Sequence, residues 1–155
     1  MRAAAASFVA AALFGVLRFT ALYPETFPHQ FLSMLSGVAG FPALAFAAAR
    51  PASRLTRAPL PAGALVIALG AAGTAIVVGL GWRPYMDACA LLSVVALFWT
   101  MRRRSDTLGG GAALAMLVGL LCFAAKFPAN GPLAPGDLLH LGLASGWILL
   151  ARSHR

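Results

Sequence analysis

Residues 84–104 read PYMDACALLSVVALFWTMRRR. The stretch 85–101 holds a single carboxylate, Asp87, among side chains that hydrocarbon tolerates, and it stops at Arg102, Arg103 and Arg104. A helix rises ~1.5 Å per residue, so a run of this length comes close to crossing a hydrocarbon core of ~30 Å. Pro84 suits the first turn of such a helix, where no intrahelical donor is lost. Barrel strands alternate apolar and polar residues, and this stretch does not. It reads as a spanning helix held on the cytoplasmic side by its three arginines.

Working outward, the same kind of run recurs at about 3–22, 29–49, 60–81, 108–125 and 134–151. Prolines mark the breaks: Pro24 and Pro28, Pro51 and Pro59, Pro84, then Pro128, Pro132 and Pro135. The chain has 155 residues, 61% of them hydrophobic and 10% charged. A soluble domain carries roughly 25% charged residues, so too little polar surface is present to cover a water-soluble globule. The expected fold is all-α: a single integral membrane domain over residues 1–155, built as a compact six-helix transmembrane bundle. Gly37 and Gly40, Gly70 and Gly73, Gly142 and Gly146, and Ala45, Ala48 and Ala49 recur three or four apart, a spacing that lets helix backbones approach closely.

Charge sorting gives orientation. Of twelve Lys and Arg residues, nine (Arg2, Arg50, Arg54, Arg57, Arg102, Arg103, Arg104, Arg152 and Arg155) fall before the first run or after the second, fourth and sixth. Only Arg83 and Lys126 occupy the other gaps, and Arg18 sits inside the first run. The positive-inside rule then places both termini in the cytoplasm of a bacterial inner membrane. Arg2 followed by an alanine-rich run also has the look of a signal peptide, but the run is long and Arg18 interrupts it. The net charge of +8 is accounted for by the cytoplasmic loops, so nucleic acid is not expected as a partner; the lipid bilayer is. Cys89 and Cys122 form no CxxC motif and read as buried, unreactive thiols.

Ionisable groups inside spans are the functional candidates, because each costs roughly 2.5–3.5 kcal/mol or more at mid-helix unless paired. Arg18, Asp87, Asp137 and His140 all fall within about 5–10 Å of the outer surface at the ~1.5 Å rise, and His29 opens the second run at a similar level. Asp137 and His140, three apart, share a helix face. His29, Ser33 and Ser36 form a polar stripe expected to face the bundle interior. Arg18 and Arg83 are basic on the wrong side, close in depth to Asp87 and Asp137, which can neutralise them. Trp82 and Tyr85 fit the outer interfacial belt, Trp99 and Trp147 the cytoplasmic one. Three uses of this layer follow. It is an ion-paired pocket or packing network, serving a small ligand, a lipid headgroup or a partner protein. Alternatively His29, Asp87, Asp137 and His140 bind Zn²⁺, whose water hydrolyses a lipid amide or ester. Or Asp87 and Asp137 titrate in a small proton-linked carrier. No motif assigns a catalytic residue.

The last run, Gly136-Asp137-Leu138-Leu139-His140-Leu141 onward to Arg152, resembles the final helix of small bacterial multi-pass proteins related to the ceramidase-like membrane hydrolase superfamily, which includes the progestin and adipoQ receptor relatives. The resemblance implies zinc held by His140 late in the chain and by His29 with Ser33 early, together with Asp87. Where that family has a second late histidine one turn on, this chain has Ala144.

Overall fold

The computed structural model of the chain describes residues 8–9, 13, 27–51, 53, 58–128 and 135–153. Every regular element among them is helical. In chain order they are α1 (Phe27–Leu35), a π-helical turn (Ser36–Gly40), α2 (Phe41–Ala49), α3 (Pro59–Thr74), a second π turn (Ala75–Gly79), α4 (Pro84–Arg103), α5 (Thr107–Ala124) and α6 (Pro135–Ser153). The π turns interrupt no helix, so the described residues form five continuous helices where the sequence predicts six. The first predicted run lies outside the described residues except for Phe8, Val9 and Leu13, which are helical.

Among the described residues, four helices are long and apolar enough to cross a membrane: Pro28–Ala49, Pro59–Gly79, Pro84–Arg103 and Thr107–Ala124. The fifth, α6, has the length, at 19 residues, but Asp137, His140 and Arg152 keep it out of that group. The apolar surface these helices leave uncovered is large. Leu60 is 86% exposed and Leu80 77%, with Ile67 and Val78 exposed on the same helix. Patches of this extent are costly in water and cost nothing in lipid.

The chain divides into two compact units, Met1–Ala90 and Leu91–Arg155. In the first, the core is the middle of the helix made by α1 and α2. Ser36, Gly37, Val38, Ala39, Gly40 and Phe41 are all buried, followed by Leu44 and Ala48. α3 lies against this stretch through Gly70 and Gly73. A Cβ on Gly70 would come to 2.6 Å from Leu35 Cδ1, and one on Gly73 to 2.5 Å from Val38 Cγ2. Gly37 in turn faces Met86 of α4. Phe8 meets Phe41 edge to face, with ring centroids 4.7 Å apart. Gly37, Gly70 and Gly73 are therefore packing positions.

Pro42 supplies the cause of the first π turn. It has no N–H, and in an α-helix its ring crowds the carbonyl four residues back, here that of Val38. Local π widening is one of the adjustments by which apolar helices accommodate an internal proline. The bond that marks it runs from the Phe41 N–H to Ser36 O, five residues back. The second π turn ends its helix. The Leu80 N–H donates to Ala75 O and Ile76 O at 3.2 and 3.3 Å. Gly81 then takes a left-handed φ of 67°, a conformation glycine adopts without Cβ strain, and α4 starts at Pro84.

The second unit is built on the antiparallel hairpin of α5 and α6. Its crossing point is glycine on both sides: a Cβ on Gly142 would lie 2.6 Å from Ala115 O and 3.0 Å from Gly119 Cα. One turn further, Gly146 faces Met116 and Ala112 O. α5 is capped by Asp106, whose Oδ1 accepts the Gly109 N–H at 2.8 Å. That cap satisfies one of the four orphan donors of the helix start, and it places the start at Thr107, one residue before the run expected from the sequence. Val94, Leu97 and Met101 form one buried stripe on α4, at the three- and four-residue spacing of a helix face.

Candidate functional site

In the first unit, the stripe His29, Ser33, Ser36 does not face inward along its length. His29 is half-buried, Ser33 is exposed, and only Ser36 enters the core. The expectation of an interior stripe is corrected: helical spacing puts three residues on one face, but that face is unevenly covered, with Ser33 exposed between half-buried His29 and buried Ser36. Ser36 donates its hydroxyl to Leu32 O at 2.9 Å, four residues back. This is the usual way a hydroxyl is satisfied inside an apolar helix.

Arg83 and Asp87 flank the start of α4, both exposed. Asp87 lies in the first turn, where a carboxylate interacts favourably with the positive end of the helix dipole. Trp82 and Tyr85 pack at 5.7 Å between ring centroids, with Trp82 54% exposed. That exposure suits the amphipathic ring of an interfacial residue. Cys89, one turn on, is a free thiol and half-buried, as is Cys122 on α5; both are less covered than the sequence suggests.

In the second unit, Asp137 lies in the first turn of α6 and His140 one turn later, both exposed. Like Asp87, Asp137 occupies the position at which the helix dipole favours an acid. Trp99 is exposed, and the Arg103 guanidinium lies over its ring at 5.1 Å. Trp147 is half-buried. Arg18, the proposed counter-charge of the layer, lies outside the described residues.

The zinc set of His29, Asp87, Asp137 and His140 requires at least three donors around one point. Among the described residues, no three His, Cys, Asp or Glu side chains come together in a group that could hold a metal ion. What the sequence overlooked is the use of Asp106 as a helix cap. The signal was there: an Asp immediately before an apolar run is a standard helix start.

No family model matches the chain, and no characterised protein or solved structure is similar enough to lend it a role.

Proposed function

We propose that the chain is a small multi-pass protein of the bacterial inner membrane, a six-helix bundle with both termini in the cytoplasm. Its outer end carries a polar layer whose role is binding or structural. The observation that carries this reading is the distribution of charge along helices with uncovered apolar sides. Arg102, Arg103 and Arg104 close α4 and Arg152 closes α6, all exposed. The acids Asp87 and Asp137 open those same two helices. Each helix thus has an acidic start and a basic end. This arrangement suits the helix dipole and, by the positive-inside rule, a cytoplasmic C-terminal end.

Two measurements test it. Reporter fusions after residues 104 and 155 are expected to give cytoplasmic signals and a fusion after residue 128 a periplasmic one; a periplasmic signal after 104 would overturn the topology. Protein purified without chelator is expected to contain no stoichiometric zinc, and His140→Ala and Asp87→Asn to shift stability only. Stoichiometric zinc that disappears in His140→Ala would replace the binding or structural role with the hydrolase one.

A further inference from the structure

The end of the second unit where α4 stops, α5 starts and α6 stops gathers four exposed arginines. Arg102 and Arg103 lie in the last turn of α4, Arg104 in the connection, and Arg152 in the last turn of α6. Their proximity can be followed through glycines. A Cβ on Gly110 would meet Arg102 Cδ at 3.9 Å, so the Arg102 stem runs over the first turn of α5. A Cβ on the next residue, Gly111, would meet Leu149 Cδ1 at 3.8 Å. Arg152 follows Leu149 by three residues and shares its helix face. Arg102 and Arg152 therefore border the same helix start.

Among the described residues, the local charge is only partly compensated: four arginines stand against one nearby carboxylate, Asp106. The second unit has two acids among its described residues. Asp137 is at the opposite end of α6, and Asp106, which caps α5 through the Gly109 N–H, offsets one of the four positive charges. Arg103 lies over Trp99, which leaves Arg102, Arg104 and Arg152 as guanidinium forks. Directly behind these cations run uncovered apolar side chains. Ile148, 56% exposed, stands one turn before Arg152 on α6, and Val95, 49% exposed, two turns before Arg102 on α4. Cationic forks at the end of apolar helix surface match an anionic diester with acyl chains attached. A guanidinium engages phosphate oxygens two at a time, and the chains lie along the helix sides.

We propose that this end of the second unit is a binding surface for an anionic glycerophospholipid of the adjoining leaflet, its phosphodiester held by Arg102, Arg104 and Arg152. The proposal rests on the reading of the chain as membrane-embedded, but not on which leaflet the end faces.

The test uses the full chain in neutral detergent, titrated with dioleoylphosphatidylglycerol or dioleoylphosphatidylcholine and read by native mass spectrometry. Wild type should bind the anionic lipid at least about tenfold more tightly, because a basic residue near an anionic lipid surface contributes about fivefold. Arg152→Gln should lower that preference about fivefold, and Arg102→Gln with Arg152→Gln should abolish it. Lys126→Gln, an equal charge change at the exposed far end of α5, should leave it intact. Equal binding of the two lipids by wild type overturns the proposal without recourse to any variant. An equal loss in Lys126→Gln, or glycerol 3-phosphate binding as tightly as the lipid, overturns it too. Alkaline carbonate extraction run in parallel separates the two levels. Release from membranes removes the membrane reading itself, whereas retention without lipid preference removes only the lipid site.

Discussion

At the residue scale, Asp106 has the clearest single role. Its carboxylate closes the α5 start through Gly109, and the same region places Met101 Sδ 2.7 Å from where a Gly109 Cβ would stand. The cap thus fixes the point at which two elements of the second unit meet. Asp106→Ala should lower stability by about 1 kcal/mol, and Asp106→Asn, which keeps the acceptor, by far less. Denaturant unfolding in micelles measures both; equal midpoints for Asp106→Ala and wild type would mean that the cap contributes nothing. An Asp directly before an apolar run is legible as a candidate cap, but its partner is not. One Asp beside a glycine-rich start fits both a capping and a solvated reading until the turn is folded.

At the element scale, two glycines inside helices have opposite consequences. Gly142 sits where α5 and α6 cross, and the atoms its Cβ would meet belong to backbone, which cannot rotate away. Gly142→Ala should therefore push the helices apart at a cost of about 1–3 kcal/mol. Gly63, inside α3, has nothing within 4 Å of its would-be Cβ. Gly63→Ala should stabilise the chain by about 0.5–1 kcal/mol through helix propensity alone. Unfolding midpoints that move in the same direction would refute the packing described for the hairpin. Among the described residues, helix positions and extents were legible from the sequence to within a few residues, because a membrane span is read from length and apolarity. The spacing of small residues foretold close approach, but not which helices approach. The π turn at Ser36–Gly40 stayed hidden, since Pro42 inside an apolar run carries no signal of how the backbone will adjust to it.

At the scale of the whole molecule, the chemistry available depends on which end of each helix meets which aqueous phase. α5, at ~1.5 Å per residue over its 18 residues, is about the length of the hydrocarbon core. Its flanking residues, Ser105 and Lys126, are both exposed and should lie on opposite sides. Ser105→Cys, in a background without Cys89 and Cys122, should react with an impermeant maleimide in inverted vesicles only, and Lys126→Cys in right-side-out vesicles only. Labelling of both from one side would refute a spanning α5. The polar layer was the least legible feature. Sequence gives the depth of Asp87, Asp137, His140 and His29, but depth is a single coordinate. Whether groups at one depth meet depends on helix rotation, as the exposed Ser33 between half-buried His29 and buried Ser36 makes plain.

The widened turn before Pro42 has a genetic consequence. A π turn takes in one residue more than an α turn, so the helix from Phe27 to Ala49 carries a surplus of one between two stretches of correct rotational phase. Deleting a single residue within 36–40 removes that surplus and leaves α1 and α2 in phase, but it returns the proline ring to the crowded position. A one-residue deletion there should therefore be defective alone and be rescued by Pro42→Ala, a suppressor pairing that an uninterrupted α-helix would reverse. Accumulation of the protein in membranes, compared among the deletion, the Pro42→Ala variant and the two combined, reads out the difference.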